Sequence, residues 1–177
     1  MGLDRYDEVW EGVLHMPPAP GREHQRLGTE IVAFLVPLLK SRGIQVQYET
    51  EVHRPQSQGA DYRIPDIVTF EEGRAGLVLT DRGLEGAPLA VIEILSPDDE
   101  TYEKLGFYAS LGIPEVVVVN PETRGAEVYR LAGTQYLAVS ADERGRVHAA
   151  SLDVRFSTTS GGTPSLRIER GGAMIEI

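Results

Sequence analysis

The chain has 177 residues, 41% hydrophobic and 25% charged, which is the composition of one globular domain large enough to bury a core. The absence of cysteine excludes disulfides, thiolate chemistry and cysteine-ligated zinc. A formal charge of −10 argues against a passive nucleic-acid-binding protein, which would show a basic footprint. It does not exclude a nuclease, because site carboxylates contribute to this charge and a bound metal ion offsets them.

Nothing in the sequence indicates a membrane protein or a second domain. No apolar stretch is long enough to cross a bilayer, and residues 1–6 lack the basic and apolar regions of a signal peptide. Tyr6 stands where N-myristoylation needs Ser or Thr. With no internal repeat or linker, we expect a single domain over residues 1–177, in the cytoplasm and without membrane attachment.

The first predicted elements are a hairpin arm and a long helix. Residues 10–16 are expected to form a short strand or hairpin arm that ends at the proline-rich segment 17–21. The helix begins at Arg22 and ends at Arg42 and Gly43, with a kink predicted at Pro37. Apolar residues recur along it at helical spacing: Leu27, Ile31, Phe34, Leu35 and Leu38.

The middle of the chain is expected to alternate strands with a second helix. Residues 44–52 alternate as one half-buried strand, whereas residues 64–68 and 90–95 have the apolar composition of strands buried on both faces. A short strand is expected at 77–80. Residues 96–99, Ser-Pro-Asp-Asp, favour a helix start that combines a capping residue, an early proline and acids at the positive end of the helix dipole. That helix ends at Leu111 and Gly112.

The last third is expected to be mostly strands. Residues 114–119 have the composition of another buried strand, and a turn connects them to a strand at 126–131. Short antiparallel strands follow Gly133, with turns at 142–145 and 160–162. The predicted fold is therefore α/β or α+β: a central mixed β-sheet flanked by helices, with C-terminal antiparallel hairpins.

Two acidic residues lie inside otherwise apolar predicted strands. Asp66 follows Pro65, and Glu93 lies between Ile92 and Ile94. A buried carboxylate is costly unless it is paired or binds a cation. If the two strands are neighbours, these acids would form a divalent-metal site, and Lys104 on the next helix would supply positive charge to a phosphoryl transition state.

Each of these residues also has a structural explanation. Asp66 suits a turn that enters a strand, and Arg63 is the obvious salt-bridge partner for Glu93. Lys104 lies at the margin of an apolar helix face, from which its charged end could reach solvent. His24 is expected to point towards the sheet as a hydrogen-bonded core histidine or as a residue of the metal site. No dinucleotide-binding, Walker, HExxH or GxSxG motif is present.

The order of these segments resembles the PD-(D/E)XK nuclease superfamily, with Pro65-Asp66 as the PD element and Glu93 as the later acid. The chain is more closely similar to a bacterial family of "putative restriction endonucleases" formerly called domain of unknown function 820. This resemblance extends over roughly residues 5 to 131. Four stretches carry it: residues 11–18, His24-Gln25, residues 63–67 and residues 91–121. The most specific motifs lie within the last stretch, and they are Glu103-Lys104-Leu105 with Tyr108, residues 111–115 and residues 119–121.

The resemblance implies a restriction-endonuclease-like fold and a Mg²⁺-dependent (or Mn²⁺-dependent) endonuclease. Asp66, Glu93 and the backbone carbonyl of Ile94 would hold the ion. Nucleic acid would be the substrate, with DNA expected, and a homodimer would provide the two sites that cleavage of both strands needs. A catalytically silent binding or assembly protein on the same scaffold is the alternative, favoured by the acidic charge.

The resemblance also implies an altered position for the catalytic lysine. The superfamily pattern places this lysine two residues after the second acid, where this chain has Leu95. The closer family has its lysine on the following helix, which indicates Lys104. His24 and Tyr108 would then orient the residues of the metal site.

Overall fold

The computed structural model describes residues 6–97, 100–159 and 161–177. In these ranges the chain forms three β-sheets and two α-helices. Helix α1 is Arg22–Lys40 and helix α2 is Leu105–Leu111, which directly follows a 3-10 turn at Thr101–Lys104. Neither helix is both long and apolar enough to cross a membrane.

The strands divide among the sheets as follows. The N-terminal sheet contains β1 Glu8–Trp10, β2 Val13–His15, β4 Glu51–His53, β5 Tyr62–Arg63, β7 Val78–Leu79 and β8 Gly83–Glu85. The central sheet contains β3 Ile44–Tyr48, β6 Ile67–Glu71, β9 Ala90–Ile94, β10 Glu115–Val119, β11 Ala126–Ala132 and β12 Gln135–Ala138. The C-terminal sheet contains β13 Val147–Ala149, β14 Val154–Thr158, β15 Leu166–Arg170 and β16 Ala173–Glu176.

The central sheet is mixed, as the sequence predicts. Its strand order is β12-β11-β10-β9-β6-β3, and the pair β9 and β10 is parallel while its other neighbours are antiparallel. Every residue of β9 and β10 is buried. Strands covered on both faces need apolar residues at successive positions, which is why these two appear in the sequence as uninterrupted apolar runs.

Two apolar cores cover the two faces of the central sheet. On one face, α1 and the C-terminal sheet pack together, with α1 contributing Leu27, Ile31, Leu35 and Leu39. On the other face, α2 packs beside residues of the N-terminal sheet such as Val52 and Leu84. Successive residues of β9 enter opposite cores, since Val91 lies with α2 and Ile92 with α1.

Most predicted elements are confirmed. Helix α1 begins at Arg22 and continues through Pro37 to Lys40. Strands at 90–94, 115–119 and 126–132, and the antiparallel C-terminal strands, match their predicted positions. The expected hairpin arm at 10–16 is a hairpin of β1 and β2. Ser160 of the predicted turn at 160–162, and residues 1–5, lie outside the described residues.

Two predicted strands have different bounds. The single strand expected over 44–52 is divided, because Glu49 adopts a left-handed φ of 47°. Strand β3 ends before it in the central sheet, and β4 begins after it in the N-terminal sheet. Asp66 was expected within a strand but precedes β6, which begins at Ile67.

The second helix begins later than predicted. Ser96 and Pro97 are not helical, Asp98 and Asp99 lie outside the described residues, and the first helical residue is Thr101. The predicted end is correct, because α2 finishes at Leu111 and Gly112 caps it with a φ of 80°. A left-handed residue of this kind is the usual role of glycine after a helix.

Candidate active site

Asp66 and Glu93 lie at the same end of a pair of neighbouring strands. Strands β6 and β9 pair antiparallel with Ile67 opposite Ile92, so Asp66, which directly precedes β6, and Glu93, which follows Ile92 in β9, both adjoin this last paired position. The Oδ2 atom of Asp66 also accepts a 2.7 Å hydrogen bond from the backbone N–H of Ile94. The two candidate acids therefore lie close together at the end of the β6–β9 pair.

Glu93 is more deeply buried than Asp66, with 3% of its surface exposed. Tyr108 Oη donates a 2.5 Å hydrogen bond to Glu93 Oε1, and Lys104 Nζ lies 3.4 Å from the same oxygen. Burial raises the pKa of Glu93 to about 7. The charge of Lys104 lowers this pKa and the charge of Asp66 raises it further, but burial has the largest effect. The ionised carboxylate is thus undercompensated, and an additional cation would stabilise it.

Arg63 does not pair with Glu93, so that structural explanation is wrong. Its guanidinium donates to Asp61 Oδ1 at 3.0 Å and lies between the rings of Trp10 and Phe107, 4.3 and 4.2 Å from their centroids. The preference of a planar guanidinium for aromatic faces and a carboxylate keeps Arg63 in this stack.

Lys104 is directed inward and not towards solvent. The 3-10 turn before α2 holds it, and only 14% of its side chain is exposed. Its Nζ lies 3.0 Å from Glu8 Oε1 as well as 3.4 Å from Glu93 Oε1. Burial lowers the pKa of Lys104, but the charges of Glu93 and Glu8 outweigh this and raise it above the ordinary value. The ammonium is therefore kept protonated next to the buried acid.

Glu8 is a residue of this site that the sequence did not single out. It lies on β1, with 2% of its surface exposed. Its Oε1 accepts from the backbone N–H of Ile64 at 2.8 Å, and its Oε2 accepts from Trp10 Nε1 at 2.7 Å. Glu8 is one of several acids in a charged N-terminal segment, and no periodic pattern distinguished it from exposed neighbours.

His24 reaches the site from the first turns of α1. Its Nε2 lies 3.2 Å from Asp66 Oδ2. Burial lowers the pKa of His24, but the hydrogen bond and charge of Asp66 outweigh it, so the pKa is raised. Within the described ranges His24 Nδ1 is buried without a hydrogen-bond partner. His24 thus contacts the predicted metal-binding acid Asp66 and is not a fully hydrogen-bonded core histidine.

These side chains surround one cavity of about 90 Å³. Its lining includes Glu8, His24, Asp66, Glu93, Ile94 and Lys104, and Tyr108 holds Glu93 from within the adjacent core. Three further lining residues contact one another: Trp10 stacks on His15 with ring centroids 4.0 Å apart, and His15 Nδ1 contacts Glu100 Oε2 at 2.8 Å. All of the sequence-predicted site residues are therefore brought together.

The donor set suits an oxygen-preferring divalent ion. Among the residues that the structure describes, no three His, Cys, Asp or Glu side chains converge as a ready-made chelating group. An ion would instead be held by the carboxylates of Asp66 and Glu93, the carbonyl of Ile94 and water. One or two carboxylates with several waters is the usual environment of Mg²⁺. With Glu8 nearby, the acids outnumber the Lys104 ammonium, which also favours a cation.

Another buried acid, Glu115, has a structural environment that contrasts with that of Glu93. Its Oε1 accepts from Arg130 Nε at 3.0 Å and from the backbone N–H of Ala150, and its Oε2 accepts from the N–H of Ser151. Glu115 lies on β10 with 1% of its surface exposed and does not line the cavity. Its contacts join β10 to the C-terminal part of the chain, which explains its burial.

Comparisons with known proteins agree with this architecture. The family model Uma2, described as "Putative restriction endonuclease", matches residues 3–160 and so extends beyond the 5–131 of the sequence resemblance. The crystal structure of a putative nuclease belonging to DUF820 from Anabaena variabilis ATCC 29413 superposes with a TM-score of 0.65. It is 22% identical, over 83% of each chain, and the similarity shows a shared fold. No curated protein sequence matches. Because the family model spans most of its length, the chain belongs to the Uma2 family of putative restriction endonucleases.

Proposed function

We propose that the protein is a Mg²⁺-dependent endonuclease that hydrolyses phosphodiester bonds, with DNA as its expected substrate. The observation that carries the proposal is the buried Lys104 ammonium, 3.4 Å from Glu93 in a cavity that Asp66 also lines. Membership of a family described as "Putative restriction endonuclease", and a fold shared with a putative nuclease, support the same reaction class.

Each side chain has a role that its contacts support. Asp66, Glu93 and the carbonyl of Ile94 would hold Mg²⁺ or Mn²⁺, which when bound neutralises the phosphate and lowers the pKa of an attacking water. Lys104, kept protonated by its acidic neighbours, would stabilise the negative charge that develops on the phosphoryl oxygens.

Two further residues would orient the metal ligands. Tyr108 donates to Glu93 Oε1, which limits the rotation of that carboxylate. His24 contacts Asp66 Oδ2 in the same manner. Outer contacts of this kind commonly fix the orientation of groups that hold a metal ion.

The position of Lys104 supports its assignment as the displaced lysine of the nuclease pattern. Leu95 occupies the usual lysine position, two residues after Glu93. The long stem of Lys104 nevertheless carries an ammonium group to Glu93 from the turn before α2. A catalytic charge acts through its place in space and not through its place in the sequence.

A catalytically silent binding or assembly protein remains the second candidate, because the formal charge of −10 does not favour tight binding of free duplex DNA. Cleavage assays with supercoiled plasmid and single-stranded DNA, in Mg²⁺, Mn²⁺ or EDTA, separate the two functions. The endonuclease cleaves at least one substrate in the presence of a divalent ion and neither substrate in EDTA. Absence of metal-dependent cleavage of both would favour the silent protein.

A homodimer is part of the proposal, because one site cuts one strand and cleavage of a duplex needs two. Light scattering of the purified protein tests this point, and RNA included in the cleavage assay tests whether DNA is the preferred substrate. A monomer that nicks only one strand would correct the dimer while leaving the chemistry intact.

A further inference from the structure

We infer that Glu8 is a positioning residue that holds the Lys104 ammonium beside Glu93. This inference rests on the proposed nuclease function but concerns a residue on a different sheet from Glu93. Glu8 and Lys104 meet at 3.0 Å, although they are far apart in sequence, and both line the cavity. The N-terminal hairpin therefore contributes directly to the geometry of the site.

The contacts of Glu8 indicate positioning and not metal binding. Both carboxylate oxygens accept from N–H groups in fixed positions, Oε1 from the backbone of Ile64 and Oε2 from the indole of Trp10. The indole is itself held between the His15 ring and the Arg63 guanidinium. A carboxylate held by both oxygens has a fixed orientation. Because Oε1 also contacts the Lys104 ammonium, three of its roughly four lone-pair positions are directed at protein groups.

Lys104 needs such an anchor because its stem is flexible. An ammonium on four methylenes can adopt many rotamers, and it lies on a short 3-10 turn, not inside a long helix. Contact with Glu93 alone would let the ammonium approach that carboxylate fully and occupy the space of a metal ion. The Lys104 ammonium lies 3.0 Å from Glu8 Oε1 and 3.4 Å from Glu93 Oε1, so Glu8 holds it back from Glu93. The lysine thereby stays next to the metal-binding acid without replacing the metal.

The chain offers a direct measurement of this restraint. It contains two lysines, Lys104 and the exposed Lys40 at the end of α1. Acetylation followed by mass spectrometry reports the accessibility of each, and Lys40 serves as an internal reference. In Glu8→Gln, we expect Lys104 to react several-fold faster than in the wild type, while Lys40 reacts at an unchanged rate.

Kinetics supply the functional half of the test. Glu8→Gln should lower kcat for cleavage by about 10–100-fold, the usual effect of removing a group that orients a functional side chain. KM for the nucleic acid and the Mg²⁺ concentration for half-maximal rate should stay near their wild-type values. In a Lys104→Met background, Glu8→Gln should cause little further loss, because the two residues act as one unit.

Glu51→Gln is the matched control. Glu51 lies on β4 of the same N-terminal sheet but outside the cavity, and its side chain pairs with His53 and Arg82 and not with Lys104, so the rate and the acetylation pattern should be retained. If Glu8→Gln does not fold, Glu8→Asp replaces it, because the shortened carboxylate withdraws from Lys104 while keeping its charge. Wild-type acetylation of Lys104 in the folded variant would overturn the inference.

The possible failures are distinguishable. A wild-type protein that does not cleave contradicts the proposed function, and acetylation alone then decides whether Glu8 restrains Lys104. A cleaving wild type with an equally active Glu8→Gln contradicts only the role of Glu8. An effect of Glu8→Gln on metal binding would be distinct: a large rise in the Mg²⁺ concentration for half-maximal rate, together with a loss of kcat that adds to the loss caused by Lys104→Met, would identify Glu8 as a metal ligand and overturn the inference.

Discussion

At the scale of single residues, the strand glutamates Glu93 and Glu115 are buried to a similar degree but are stabilised differently. Glu115 accepts from Arg130 and from two backbone N–H groups outside the cavity. Glu93 accepts a hydrogen bond from Tyr108 and contacts Lys104, which also contacts Glu8, and it lies beside other acids in the cavity. Burial is therefore not informative by itself. The partners decide whether a buried acid supports the fold or a site.

These environments predict opposite effects of the same substitution. Glu93→Gln should abolish divalent-dependent cleavage and leave the metal-free fold at pH 8 as stable as the wild type or more so, because it removes an undercompensated charge. Glu115→Gln should cost about 1–3 kcal/mol of unfolding free energy, because buried donors lose their acceptor. Urea unfolding and a cleavage assay of both variants make the comparison. Retained cleavage by Glu93→Gln would contradict the metal site.

Glu93 also predicts a pH dependence of stability. Burial raises its pKa from 4.5 to about 7 in the folded protein, so between these values the folded state binds the proton more tightly than the unfolded state. The unfolding free energy should therefore fall as the pH rises from about 4.5 to about 7, by at most about 3 kcal/mol for this group, and level off above. Urea unfolding of metal-free wild type and Glu93→Gln across this range isolates the contribution. Equal slopes for both proteins would argue against it.

Lys104→Met separates chemistry from packing. Methionine keeps most of the apolar stem and removes the charge, so a lysine that only packs would tolerate it. We expect cleavage to fall on the order of a hundredfold or more, the scale of losing one electrostatic contact to the transition state. Apparent metal affinity should hold or rise, because a neighbouring cation is absent. Cleavage at the wild-type rate would favour the silent-protein alternative.

At the scale of elements, the position of His24 depends on how closely α1 lies against β3. At Gly28 an added Cβ would lie 2.6 Å from the Tyr48 ring, and Tyr48 Oη donates to Gln25 on the same helix. The absence of a side chain at Gly28 thus permits the helix to approach the sheet closely, which places His24 next to Asp66.

Gly28→Ala should therefore be destabilising despite the better helix propensity of alanine. We expect a loss of about 1–3 kcal/mol from overpacking against Tyr48, measured by urea unfolding. Gly106→Ala is the control, because this glycine lies in α2 with nothing within 4 Å of an added Cβ. That variant should be neutral or up to about 1 kcal/mol more stable. A stabilised Gly28→Ala would show that the helix does not need this close approach.

At the scale of the whole molecule, the C-terminal sheet belongs to the same core as α1 and the central sheet. Phe156 and Ile168 are fully buried in that core together with Leu35 and Ile92. A segment that the sequence indicated only as generic hairpins thus covers one face of the sheet that carries the site. The described chain should unfold as one cooperative unit.

Phe156→Ala tests this cooperativity. The variant should lose about 3–5 kcal/mol, the usual cost of truncating a buried phenylalanine. Fluorescence of Trp10, the only tryptophan, reports on the distant N-terminal sheet, while circular dichroism reports on the whole chain. Both transitions should shift together, and Leu137→Ala, at a 62% exposed position, should shift neither. A Trp10 transition unaffected by Phe156→Ala would indicate separate folding units.

The sequence by itself determined the elements whose signal is local. Helical spacing placed α1 from Arg22, and continuous apolar runs placed β9 and β10, because periodicity and burial act on neighbouring residues. The same runs made Glu93 conspicuous as an acid without a local partner. Lys104 was singled out as a cation on the following helix, and the resemblance to a nuclease family, carried by short motifs, supported it and gave Tyr108 a role.

Only the tertiary structure decided which side chains meet. Glu8 bonds to the backbone of Ile64 and contacts Lys104 from another sheet, and Arg63 pairs with Asp61 instead of Glu93. The division of residues 44–52 between two sheets likewise follows from the paths of distant strands. Such contacts depend on chain closure over dozens of residues, and a charged residue has the same local pattern whether its partner is a lysine, water or a metal ion.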